Sequence, residues 1–333
     1  MRSLAAWQVI LGLMLSCITS LSTPLFFQHC NITVKSTDRS NESMWYFTQN
    51  IFNGIFAGGV YALIAVGITV IYGVMRMINF ASGAYLMVGM YITYFGYTLT
   101  GWDAYLLIPF TVLVSAAVAW ASFKLTISPI LNRDKTTAII VTVGLSFFFQ
   151  NLVILIFGAN PLTIPTEIQL KSLMIGPFII NLPRLIAFAA SMALVLIFHI
   201  LLNKTMFGQA IRATSENVEV SEMLGVNTRN MFAIAWVLGI VLTSIAGLLL
   251  TPIYAIQSST GATFRTTGLM AVVLGGLGDI RGAFLSGILL GVIEALVASY
   301  IDTNMGSLGI FVLLLLVLYA RPAGLFGKGE RVA

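Results

Sequence analysis

The sequence predicts an all-α, polytopic transmembrane helical bundle of about nine or ten spans, with one short helix on the cytoplasmic side. Three observations carry that expectation. The 333-residue chain is 58% hydrophobic and 9% charged, with a mean hydropathy of +0.96, whereas soluble domains carry roughly 25% charged residues. Apolar runs of about 20 residues recur along it, each enough to cross roughly 30 Å of hydrocarbon as a helix. The runs are continuous rather than alternating, which argues against a closed barrel, the other fold that satisfies every backbone group in lipid.

Taken in order, the spans are expected near residues 7–27, 51–72, 79–99, 104–123, 137–158, 184–203, 231–252, 266–279, 282–300 and 306–320. The implied layout is residues 1–50 as a hydrophobic segment plus an external polar stretch, 51–321 as the transmembrane domain, and 322–333 as a tail. The first run, with one Arg, an apolar centre and small residues after it, fits both a signal peptide and an anchoring helix. Loop charge sets the orientation. With the amino terminus inside, the cytoplasmic segments hold Arg2, Arg76, Lys124, Arg133, Lys135, Lys204, Arg212, Arg229, Arg281, Arg321, Lys328 and Arg331, most of the 17 Lys and Arg. Lys35, Arg39, Lys171, Arg184 and Arg265 fall outside. The carboxyl terminus is therefore expected in the cytoplasm.

Several chemistries lack their parts. No G-x-x-x-x-G-K-[ST] occurs, so no P-loop cradles nucleotide phosphates. The two His and two Cys are not at metal-ligand spacing, and neither H-E-x-x-H nor G-x-S-x-G is present. No metal site or catalytic residue is expected. The net charge of +5 reflects membrane sidedness rather than a nucleic-acid surface.

Sparse polar groups inside the spans are the candidates for lining a pathway. Glu294 lies deep in an apolar helix, where a charge costs several kcal/mol unless paired, hydrated or protonated. Gly287, Gly291 and Glu294 share one face, and Gly-x-x-x-Gly allows close helix approach; burial for packing and a pathway role both fit. Asn79 and Ser82 stand near a helix start on the cytoplasmic side, where Asn79 also suits an N-cap. Gln150 and Asn151 are adjacent amides at mid-span, whose desolvation calls for inward-facing partners. VVLGGLGDIRGAF reads as a tight cytoplasmic turn, with a discontinuous helix as the alternative.

The most charged interior stretch is GQAIRATSENVEVSEMLGVNTRN, residues 208–230, with Arg212, Glu216, Glu219, Glu222 and Arg229. Thr214 or Ser215 is expected to cap a helix of roughly three turns, with Glu216 and Glu219 near its positive end and Gly225 stopping it. Val220, Met223 and Leu224 cluster on one face. Because the polar face is acidic, anionic lipid would repel it, so a protein partner is the better reading than a membrane-lying helix.

Four ordered motifs resemble the permease subunits of bacterial branched-chain amino acid ABC transporters, the LivH-like branch. They are NGIFAGGVYALIAVGITVIYGVMRMINFASGAYLMVGMY at 53–91, FGQAIRATSENVEVSEMLGVNTRN at 207–230, GLMAVVLGGLGDIRGAFLSGILLGVIEAL, and LYARPAGLFG. The resemblance implies an inner-membrane importer. Two homologous permeases form the path, two cytoplasmic ATPase subunits drive it with ATP, and an extracytoplasmic solute-binding protein delivers solute. This chain then binds no cofactor of its own and has lipid, but no nucleic acid, around it. The stretch from Arg212 through Glu216, Glu219, Val220, Glu222, Met223 and Leu224 to Gly225 falls where the family places its ATPase-coupling loop. One departure bears on cargo: the family commonly reads Asn-x-Ala-His-Gly-Glu where this chain has Asn79-Phe80-Ala81-Ser82-Gly83-Ala84. Branched-chain or other apolar amino acids are the expected substrates, with urea and short amides the alternative within the family. Outside it, an ion-coupled secondary transporter or channel also accounts for the spans and Glu294.

Overall fold

The computed structural model describes residues 39–131, 133–175 and 178–327. The expected span at 7–27 lies outside the described residues. The described residues from 45 onward form one compact unit, and the architecture below is that of this unit.

Among the described residues the fold is helical: α1 (Arg39–Met75), α2 (Ser82–Thr100), α3 (Ile108–Ser122), α4 (Lys135–Phe157), α5 (Leu182–Lys204), α6 (Met206–Glu216), α7 (Val218–Met223), α8 (Thr228–Leu250), α9 (Thr260–Gly275), α10 (Ile280–Tyr300) and α11 (Gly306–Ala320). A small antiparallel hairpin, β1 (Ser172–Ile175) and β2 (Phe178–Asn181), interrupts the loop before α5. It was not expected from the sequence. Gln49 on α1 holds its outer strand by accepting from the Ile179 amide (3.2 Å) and donating to the Ile179 carbonyl (2.6 Å).

Among the described residues, seven stretches are long and apolar enough to cross a membrane: 44–75, 104–130, 136–157, 182–204, 228–250, 280–300 and 303–320. Helices α2 and α9, of 19 and 16 residues, sit inside this set. The core consists of α1, α2, α8 and α9, with α3, α4, α5, α10 and α11 around them. Close approach rests on missing side chains. A Cβ on Gly287 would fall 2.4 Å from the Ala62 Cα, and one on Gly291 2.4 Å from the Gly58 Cα. The Gly-x-x-x-Gly expectation for α10 is thus met by a matching stripe on α1.

Two expected boundaries move. The span expected at 266–279 is the helix 260–275, because Gly276 and Gly278 take left-handed φ values of 103° and 89° that end it. Asp279 then caps α10, accepting from the amides of Arg281 (2.8 Å) and Gly282 (3.2 Å), so VVLGGLGDIRGAF is a turn. Likewise the chain does not begin α2 at residue 79: α1 stops at Arg76, itself left-handed at φ 52°, and residues 77–81 run without regular helix to Ser82.

Candidate functional site

That interruption carries the first candidates, Asn79 and Ser82, into the packed interior. Both are wholly buried, and the residues beside them, Phe80 and Gly83, pack against the first turns of α9. A Cβ on Gly83 would meet the Gly261 carbonyl oxygen at 2.1 Å, and one on Gly261 the Gly83 oxygen at 2.2 Å. The Arg265 guanidinium donates to the Phe80 carbonyl at 3.4 Å. Since Arg265 stands ten residues before Gly275, roughly 15 Å up the α9 axis, the polar segment is carried well into the bundle. Arg265 thus reaches the backbone one residue from Asn79.

The segment is held by few bonds. The Asn79 Oδ1 accepts from the Ala81 amide (2.8 Å), a local turn rather than an N-cap, and Thr142 on α4 accepts from the Phe80 amide (3.3 Å). The Asn79 Nδ2 and Ser82 Oγ have no protein partner. Buried polar atoms are almost always paired, so two orphans within four residues mark a place where polar groups are held ready. Beside them α9 turns polar side chains outward: Thr263 and Thr266 are exposed and Arg265 half-buried. A polar face at this depth is unfavourable against lipid and fits a water-filled or protein-covered surface. Sequence reading missed these three residues because α9 was placed six residues too late; a helix wheel begun at Thr260 would have shown them.

Glu294 belongs to a second cluster. Half-buried on α10, it interacts with the Tyr61 hydroxyl on α1, while Arg184 and Tyr254 lie within electrostatic reach of Tyr61. Tyr61, Arg184 and Tyr254 also line an internal cavity of about 20 Å³, room for one water. The adjacent amides separate: Gln150 is half-buried, whereas Asn151 is exposed and donates to its own helix at the Phe147 carbonyl (2.8 Å). Asn151 therefore needs no inward partner. Among the described residues no hydrogen bond joins the Gln150 side chain to Asn79, Ser82 or Glu294.

The stretch 208–230 makes two helices where one was expected. Thr205 caps α6 by accepting from the Gly208 amide (3.1 Å), and Asn217 caps α7 by accepting from the Val220 amide (3.1 Å). Thr214 and Ser215 do not cap; their hydroxyls bond back to the Ala210 and Arg212 carbonyls. Extended backbone at Asn217 (φ −152°) breaks the run, leaving Glu216 at the end of α6 and Glu219 in the first turn of α7. Gly225, at φ 84°, closes α7 with the paired bonds Gly225 N to Glu222 O and Val226 N to Ser221 O, a Schellman ending. Met206, Phe207, Val220, Met223 and Leu224 are exposed, Met223 by 85%. Glu222 accepts from the Thr228 hydroxyl, so its carboxylate serves the junction with α8. Arg212 donates to Asn203 (2.7 Å), and Arg76 to the Ser215 carbonyl (3.2 Å).

Comparison with known proteins identifies the family. Residues 50–318 match the family model described as branched-chain amino acid transport system / permease component. The high-affinity branched-chain amino acid transport system permease protein LivH of Salmonella typhimurium is 33% identical over 87% of this chain and 98% of its own length. The corresponding protein BraD of Pseudomonas aeruginosa is 32% identical over 86% and 98%. A more distant relative, the autoinducer 2 import system permease protein LsrC of Yersinia enterocolitica, is 26% identical over 84% and 71%. On the family match and on identity that spans nearly the whole of LivH, the chain belongs to the family of branched-chain amino acid transport system permease components.

Proposed function

We propose that this chain forms one half of the translocation path of an ABC importer for branched-chain or other apolar amino acids. A second homologous permease supplies the other half, two cytoplasmic ATPase subunits supply the free energy, and a solute-binding protein delivers cargo on the other side. ATP hydrolysis belongs to the partners. The carboxyl terminus and the α6–α7 elbow face the cytoplasm, as the distribution of Lys and Arg directs. The observation that carries the reading is the break between α1 and α2. It brings the buried orphans Asn79 and Ser82 beside the polar face of α9, and the residue that ends α1, Arg76, reaches the α6–α7 elbow.

In this reading the exposed apolar side chains of α6 and α7 seat in a groove of the ATPase. Closure of the ATPase pair pulls on the elbow, and Arg76 passes that displacement to residues 77–82. The orphaned polar atoms then exchange buried idleness for contact with solute or water, and the α9 face opens to one side or the other. Differential contact with the two states is what lets nucleotide drive the change.

The test is uptake into proteoliposomes holding the full set of subunits. R265Q is expected to lower the rate of leucine uptake about tenfold with ATPase assembly intact. Unlabelled leucine, isoleucine and valine should compete, and urea and acetamide should not; competition by the amides alone would reassign the cargo. Uptake by the lone chain under an ion gradient would overturn the ABC reading altogether.

A further inference from the structure

At the same end of the bundle as the elbow lies a second, unassigned feature, a cavity of about 710 Å³. Four parts of the chain wall it: the end of α1, the end of α5 with α6, the α9–α10 turn, and the segment 322–327. Arg76, Arg212 and Arg281 all line it, with His199 and Asn203, against one carboxylate among the described residues, Asp279. That carboxylate is already engaged by the Arg281 and Gly282 amides. Arg212 has only the neutral Asn203 as partner, and the Arg281 guanidinium makes no hydrogen bond or ion pair among the described residues. Leu202, Val273, Leu277 and Phe326 add apolar walls beside the cationic ones.

Guanidinium groups converging on a concave site match the oxygens of a phosphate better than any neutral ligand. The apolar walls, and the position at the ends of membrane-length helices, add a requirement for a greasy neighbour. We infer that this cavity binds the phosphate headgroup of an anionic phospholipid, with Arg212 and Arg281 as its principal ligands and the acyl chains leaving along α5. A basic pocket between helix ends at the cytoplasmic surface is the expected form of such a site. Its side wall is α6, so an occupied cavity braces the helix that leads into the elbow.

The full-length chain, purified and reconstituted in phosphatidylcholine nanodiscs containing a trace of phosphatidylglycerol, tests this by native mass spectrometry. Wild type is expected to retain phosphatidylglycerol in preference to phosphatidylcholine, and R212Q/R281Q to bind it at least tenfold more weakly. K204Q/R133Q, which removes two charges outside the cavity, should bind as wild type, and R212K/R281K should recover most of the affinity. Displacement of the lipid by millimolar inorganic phosphate would assign the site to the free anion and overturn the lipid. So would equal retention by wild type and R212Q/R281Q, with the arginines shielded from chemical modification only when ATPase subunits are bound, which would mark a protein occupant. Because the readout is lipid retention, its failure leaves the transport reading untouched.

Discussion

Arg76 donates to the carbonyl of Ser215 across 3.2 Å, joining the end of α1 to the end of α6. The same residue holds a left-handed backbone at φ 52°, a conformation that costs a non-glycine residue about 1–2 kcal/mol. Relief of strain and loss of linkage can therefore be separated at one position. R76G should leave the melting temperature unchanged or slightly higher, since glycine adopts this φ freely. It should also lower the ratio of solute transported to ATP hydrolysed in the reconstituted importer. A variant as well coupled as wild type would remove Arg76 from the transmission route.

Gly83 and Gly261 meet backbone to backbone, and neither can carry a methyl group without moving α2 from α9. G83A is expected to destabilise the chain by about 2–3 kcal/mol, in the range of overpacked cores, and G83V by more. Gly144 provides the contrast, for a Cβ there meets nothing within 4 Å. G144A should be neutral or stabilising by up to about 1 kcal/mol through helix propensity. Thermal unfolding in detergent compares the two.

Much of this fold was legible. Continuous apolar runs located most of the helices, and the spacing of Gly287 and Gly291 foretold that a neighbouring helix approaches closely there, though not that it is α1, because helical periodicity is a local property of sequence. What was not legible was depth. Residues 77–81 look like an ordinary connection between spans, and only the contacts of Phe80 with Arg265 and of Gly83 with Gly261 show that they climb inside the bundle. The same limit hid Tyr61, whose meaning depends on Glu294, more than 200 positions away. Cap choice failed for a local reason: Thr214 and Ser215 satisfy their hydroxyls within α6, so Asn217 was free to start the next helix.

Buried Tyr61 and half-buried Glu294 interact, and a mutant cycle can measure the energy. Tyr61 is 6% exposed, so E294A leaves its hydroxyl short of a partner, an expected loss of about 1–3 kcal/mol. Y61F alone should cost less. Y61F/E294A should then fall short of the sum by roughly 1 kcal/mol, the signature of a direct interaction. Additive losses would show that the two side chains act independently and that Glu294 answers to other groups.

Glu219 and Glu222 look equivalent in sequence, yet the structure separates them, and the docking surface is best tested with that in mind. Glu222 accepts from Thr228 at the start of α8, so E222K both reverses a charge and breaks an internal bond; a fall in uptake there is ambiguous between docking and folding. Glu219 has no such partner among the described residues, and Met223 and Leu224 are 85% and 76% exposed. Changes at these three positions alter the elbow's surface and little else, since exposed substitutions away from special features stay within about 0.5 kcal/mol. E219K and M223S/L224S are therefore expected to insert and melt like wild type. They should nevertheless lose ATPase copurification and at least tenfold of the uptake rate, because a partner's groove reads the exposed anchors rather than the buried ones. Retained copurification with both variants would move the docking surface away from α7, leaving Met206 and Phe207 on α6 as the remaining exposed anchors.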